Sequence, residues 1–375
     1  MNPGFARADN SLIARWWWTI DRWTLAALLL LVAIGAIMTM AATPPVAEKL
    51  GLDPFHFVRR HFSLLPVAVA IMLGVSLLDL SGVRRLAAAV LVISVALLAA
   101  TFLVGAEIKG ARRWINLPGF SLQPSEFVKP SFAVICAWLF ALQRRRTGTP
   151  GDLIALLVYG IVVGLLLLQP DIGMALVVSV IWGAQYFLSG LRILWMLLIG
   201  GGGVFAFAGA YFVFPHVQSR INRFLDPQSG DTYQVARSME AFTNGGLAGR
   251  GPGEGRVKTH LPDAHSDFIF AVAGEEFGLI ACLIIVVLFG FVVLRGFAHL
   301  LSENNLFALL ATAGLLVQFG VQALINMGST LHILPTKGMT LPFISYGGSS
   351  LLSLALGMGF MLALTRKRYG PGEGA

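Results

Sequence analysis

Apolar residues in this chain gather into long unbroken stretches, not into the alternating or one-in-three-to-four spacings of half-buried soluble elements. Ten stretches approach the roughly 20 residues that an α-helix needs to cross a bilayer. They lie near 23–43, 62–80, 86–105, 127–142, 153–168, 172–189, 192–214, 272–295, 306–327 and 343–365. The fourth and fifth are short, which predicts tilted helices or ends that run past these limits. The first is too long for the apolar part of a secretory signal and reads as a retained helix.

The connecting segments set the sides. One set carries Arg7, Arg15, Arg22, Arg84, Arg85, Arg144, Arg145, Arg146, Arg192, Arg295, Arg366, Lys367 and Arg368. The short segments opposite carry only Lys49, Arg59, Arg60, Lys109, Arg112, Arg113 and Lys337. The positive-inside rule places the richer set in the cytoplasm. The expected fold is therefore an all-α integral membrane protein of about ten transmembrane helices, both termini cytoplasmic. One long extracytoplasmic loop, about 215–271, joins helices 7 and 8. Residues 1–22 read as a cytoplasmic segment, 23–365 as one membrane domain and 366–375 as a cytoplasmic tail.

Composition sharpens this picture. The chain is 56% hydrophobic and 12% charged, with a mean hydropathy of +0.77, so a water-soluble globule is excluded. Its net charge of +8 does not point to nucleic acid, because the basic residues sit at helix ends where topology requires them. Cys136 and Cys282 lie inside apolar stretches and read as packing residues.

The remaining polar motifs all fall on the expected outer face. Gly110–Trp114 and Gln123–Lys129 precede the fourth stretch, and Gln169-Pro170-Asp171 joins the fifth and sixth. Leu261–Phe268 leads into the eighth, while Leu334–Gly338 and Leu341–Ser350 lie between the ninth and tenth. Charges at membrane depth are costly and pair or line cavities. Lys129 and Asp171, of opposite sign at outer helix ends, suit either a pair across spans four and six or snorkelling to the headgroups. Asp267, where the long loop enters the membrane, suits either a general base or an N-cap of span eight. Glu275 and Glu276 suit a helix N-terminus. The spacing of His260, Asp263, His265 and Asp267 fits no zinc signature. The glycine-rich run 245–255 lacks the nucleotide-loop patterns and reads as tightly turned backbone.

The outer clusters Gly110–Lys129, Gln169–Gly173, Leu261–Gly278 and Leu334–Ser350 resemble the SEDS family (shape, elongation, division, sporulation) in order and spacing. The carrying motifs are Pro262-Asp-Ala-His-Ser-Asp-Phe-Ile-Phe-Ala-Val272, Gly274-Glu-Glu-Phe-Gly278 and Leu341-Pro-Phe-Ile-Ser-Tyr-Gly-Gly-Ser-Ser350. The stretch Pro335–Tyr346 looks closer to the division branch than to the elongation branch. Asp263 and Ser266 stand where Glu and Thr are usual, each keeping its functional group.

The resemblance implies a peptidoglycan glycosyltransferase of the bacterial inner membrane, polymerising lipid II at the outer face, with a septal role in division. Asp267 would be catalytic. Arg112, Glu126, Lys129, Asp171, His265, Lys337 and Ser349 are the candidate substrate-binding residues, and the implied cofactor is a divalent cation, Mg²⁺ or Mn²⁺. Implied partners are a class B penicillin-binding protein transpeptidase and other division-complex membrane proteins. A lipid II flippase and a non-catalytic scaffold for the transpeptidase are the alternatives.

Overall fold

The computed structural model describes residues 11–108, 111–117, 120–145, 148–190, 233–335 and 338–367, with isolated positions between 201 and 222. A short helix α1 (Leu12–Thr19) leads into α2 (Arg22–Ala42), followed by α3 (Pro44–Lys49), α4 (His56–Ser76) and α5 (Leu80–Val104). A meander of β1 (Ala106–Ile108), β2 (Ala111–Leu117) and β3 (Phe120–Leu122) carries the chain into α6 (Pro124–Arg144). Helices α7 (Gly151–Leu168) and α8 (Ile172–Leu188) follow. After the interval 191–232 come α9 (Tyr233–Gly245), α10 (Ile269–Leu300), α11 (Leu306–Thr330) and α12 (Gly348–Leu364). Among the described residues seven helices are long and apolar enough to cross a membrane, and α8 and α12 are shorter apolar helices. The predicted span at 192–214 lies largely outside the described residues.

Polar side chains fix where these helices start. Asp21 caps α2 through the Trp23 amide, Asp79 caps α5 through Gly82, and Asn305 caps α11 through Ala308. Each satisfies an amide that the first helical turn leaves unbonded. Proline at the start of α6 needs no such partner.

Burial separates helices that hydropathy treats alike. In α6, 83% of the spanning window is buried, and in α11 67%, against 22% in α4 and α7. Helices α6 and α11 are thus central, with α12 buried along almost its whole length beside them. The others present apolar faces outward, as lipid-facing helices do. The small sheet is an antiparallel addition to an otherwise helical molecule, ordered β1-β2-β3.

Helix α10 is broken. Gly278 has φ 77° and ψ −176°, which interrupts the helical hydrogen bonds. The glycine-rich loop replaces them. Arg250 and Gly251 amides donate to the Glu275 and Glu276 carbonyls (3.0 Å each), while Leu279 and Ile280 amides donate to Gly246 and Leu247 carbonyls (2.9 and 3.3 Å). A Cβ on Gly249 would lie 2.2 Å from the Glu276 carbonyl oxygen, so backbone must meet backbone there.

The predicted sides also sort in space. At one end Arg295 grips Asp21 (2.6 and 2.8 Å), Arg144 grips Asp152 (2.6 and 2.7 Å), and Trp16 donates to Ser76 (2.8 Å). All of these belong to the arginine-rich set. The motif-bearing segments meet at the opposite end.

Candidate active site

The site grows out of three central elements. From α6, Glu126 and Lys129 occupy one face three residues apart and form a buried ion pair at 2.9 Å. From α11, Gln322 and Asn326 are one turn apart and therefore also share a face. Between them runs the segment 338–347, which enters α12. Lys129 Nζ donates to Gln322 Oε1 (2.8 Å), and Gln322 Nε2 reaches the Thr340 carbonyl and hydroxyl (3.1 and 3.2 Å). Thr340 in turn shares a 2.6 Å hydrogen bond with Ser350.

The same face of α11 holds Asp267. Asn326 Nδ2 donates to the carbonyl of Met339 (2.6 Å) and to that of Asp267 (3.0 Å). Ser345 ties two neighbouring loop segments together by donating to the Ser266 carbonyl (2.5 Å), and the Tyr346 amide donates to the His265 carbonyl (2.9 Å). Two amides in one turn therefore link the buried Glu126–Lys129 pair to the Asp267 backbone. Asp267 is partly buried. Gly338 lies directly against it: a Cβ there would be 3.1 Å from Oδ2.

Several expectations change at this point. Lys129 and Asp171 do not pair. Lys129 is engaged by Glu126, only one turn away on its own helix, while Asp171 caps α8 through the Met174 amide (3.2 Å). The cation facing Asp171 is Arg113 (3.7 Å), whose guanidinium also donates to the Gln169 and Pro170 carbonyls (3.3 and 2.6 Å). Asp267 is not the N-cap of α10. That position is Phe268, without a side-chain cap bond.

The other candidates divide. Arg112 is exposed and pairs within the sheet with Glu107 (3.4 Å), away from the Asp267 network. Ser349 is buried, donating to the Ser121 carbonyl and accepting from the Gln123 amide (3.0 Å each), which pins the sheet to α12. His265 stacks on Phe57 with ring centres 5.5 Å apart and lies 5.4 Å from Tyr346. Burial pushes its imidazole below the ordinary value, opposed in part by the Asp263 carboxylate. Lys337 lies outside the described residues.

Glu275 and Glu276 are consumed by structure. Glu275 accepts from the amides of Arg256, Val257 and Lys258 (2.8, 2.9 and 3.3 Å). Glu276 accepts from the Gly253 amide (2.9 Å) and pairs with buried Lys258. A divalent cation held by protein side chains alone would need several carboxylate or imidazole ligands close together. No cluster of three His, Cys, Asp or Glu able to hold one occurs among the described residues.

Sequence reasoning passed over Gln322, Asn326 and Thr340. The signal was present as two amides at i and i+4 inside an apolar stretch, which lipid tolerates only facing a partner.

Residues 21–370 match the FTSW_RODA_SPOVE family, described as cell cycle protein. A probable peptidoglycan glycosyltransferase FtsW of Caulobacter vibrioides is 45% identical over 98% of this chain and 94% of its own length. One of Coxiella burnetii is 36% identical over 92% and 96%. Among solved structures, a chain of a peptidoglycan synthase complex that coordinates polymerization and crosslinking superposes with a TM-score of 0.75. It shares 28% identity and covers 92% of this chain and 97% of its own. The rod shape determining protein RodA of Thermus thermophilus gives a TM-score of 0.70 at 29% identity, over 95% and 99%. Because the match spans every element from α2 to α12 that builds the Asp267 network, the chain belongs to the FtsW/RodA/SpoVE cell cycle family, the SEDS proteins.

Proposed function

We propose that this protein is a peptidoglycan glycosyltransferase that polymerises lipid II at the outer face of the bacterial inner membrane, serving septal wall synthesis. The observation that carries the reading is Asp267. The residue is only partly buried, its carboxylate lies against Gly338, and its backbone carbonyl is held by Asn326, which also binds the segment entering α12. A general base must be both reachable and held.

In the proposed reaction Asp267 takes the proton of the acceptor sugar's 4-hydroxyl. That oxygen forms a bond to the donor's anomeric carbon as the bond to pyrophosphate breaks, and undecaprenyl pyrophosphate leaves with the electron pair. Lys129 is already paired with Glu126, so its part is to hold Gln322. Arg113, 29% exposed in its side chain and facing Asp171, is the cation we assign to the leaving pyrophosphate. A divalent cation, if required, would offset pyrophosphate charge chiefly through substrate and water oxygens, as Mg²⁺ commonly does.

The likeness to a chain of a peptidoglycan synthase complex supports a class B penicillin-binding protein as the working partner. The test is reconstitution. The purified protein with that transpeptidase, lipid II and Mg²⁺ or Mn²⁺ should yield glycan polymer. Absence of polymer from a complex that has demonstrably assembled would reject the reading.

A further inference from the structure

At the end of the bundle opposite Asp267, a groove opens between α5, α6 and α11. It is lined by Arg84 of α5, by Trp138, Leu142 and Arg145 at the end of α6, and by Asn305 and Phe307 at the start of α11. No carboxylate lines it. We propose that this groove binds the headgroup of an anionic phospholipid, its phosphate between Arg84 and Arg145.

The two guanidiniums are differently prepared. Arg84 lies over the Phe307 ring, 5.6 Å from its centre, and donates to Ser81 Oγ (3.0 Å). These contacts fix the side chain yet leave most of its five donors unused. Arg145 is exposed, and its side chain makes no hydrogen bond or ion pair among the described residues. Its neighbour Arg144 shows the alternative, being spent on Asp152 and on the Ser189 carbonyl. A fork of free donors facing a second, held fork matches a phosphodiester.

Position selects a lipid over a free anion. The groove lies at the ends of three apolar helices, where the bilayer interface must fall. Trp138 is half-buried there, an amphipathic ring of the kind that marks headgroup depth. Leu142 and Phe307 continue the groove as an apolar wall suited to an acyl chain. Basic pockets between transmembrane helices take anionic headgroups on this chemistry. The inference does not depend on the role of Asp267.

Arginines gather at inner helix ends for topology alone, so the control must carry the same charge. Arg85 is exposed on the same turn of α5 and does not line the groove. Native mass spectrometry of the protein released from nanodiscs containing phosphatidylglycerol and phosphatidylcholine reads the bound lipid. Wild type and Arg85→Ala should retain phosphatidylglycerol in preference to phosphatidylcholine. Arg84→Ala/Arg145→Ala should lose that retention at least tenfold, and Arg145→Ala, which removes no hydrogen bond or ion pair among the described residues, should weaken it in the same direction. Equal loss in Arg85→Ala, equal retention of phosphatidylcholine, or unchanged retention in Arg145→Ala and the double variant would each overturn the site. Displacement of the lipid by inorganic phosphate at matched phosphate concentration would reassign it to a free anion.

Discussion

At Asp267 one carboxylate faces two demands, chemistry and helix capping, and the backbone separates them. Phe268 occupies the cap position, so the α10 start does not depend on the Asp267 side chain. Asp267→Asn should therefore leave thermal stability unchanged while lowering polymerisation by about 10²–10⁴-fold, the usual cost of losing a general base. Substantial polymer from that variant would exclude the base role. The Glu126–Lys129 pair makes a contrasting prediction, because both partners are buried. Removing one leaves the other's charge without compensation, which typically costs about 3–5 kcal/mol. Lys129→Met and Glu126→Gln should each lower the melting temperature clearly, and Lys129→Met/Glu126→Gln should recover much of the loss. Single variants as stable as wild type would mean that the pair is solvated.

The broken helix α10 carries the next lesson, at the scale of elements. Its short N-terminal part, from Ile269 to Phe277, begins beside Asp267 and ends at the Gly278 break. The break is stable because the loop 246–251 supplies both donors and acceptors to the interrupted turn. Gly249→Ala would force a Cβ against the Glu276 carbonyl at a φ of +81°. Strain of that kind costs on the order of 1–3 kcal/mol. Stability and polymerisation should fall together in Gly249→Ala, whereas Gly253→Ala, which meets nothing within 4 Å, should be milder despite its positive φ. The reverse order would show that the loop is not docked on α10. Glu275→Ala belongs to the same scale, since it strips three amides of their acceptor and should be more damaging than loss of one surface carboxylate.

Across the whole molecule, motif segments bond to one another at one end and arginine-rich segments bond to one another at the other. Such sorting is what alternation of spans across a bilayer produces. Leu247 and Leu301 are exposed, in the loop above α10 and just past its far end respectively. In intact spheroplasts a cysteine at 247 should react with a membrane-impermeant maleimide, and one at 301 only after lysis. The opposite pattern would invert the topology and remove Asp267 from the side where lipid II is polymerised.

Chain-local physics decided much of this. A bilayer leaves the backbone few solutions, so apolar stretches of sufficient length had to become helices, and their approximate positions could be read without tertiary information, although α4 begins at His56, not near 62, and α12 at Gly348, not near 343. The cost of charge beside an apolar stretch singled out Lys129 and Asp171, while the family resemblance added Glu126 and the catalytic role of Asp267. What pairs with what was a different matter. Opposite sign suggested Lys129 with Asp171, but the distance between helices is a property of packing, and packing gave Lys129 to Glu126 and Asp171 to Arg113. Hydropathy likewise does not name the central helices. The windows of α4 and α6 have the same mean hydropathy, 1.4, yet one is 22% buried and the other 83%. The glycine-rich run shows the limit most clearly. Its composition announced tight turns, but only the fold revealed that those turns complete the hydrogen bonds of a helix broken some thirty residues later.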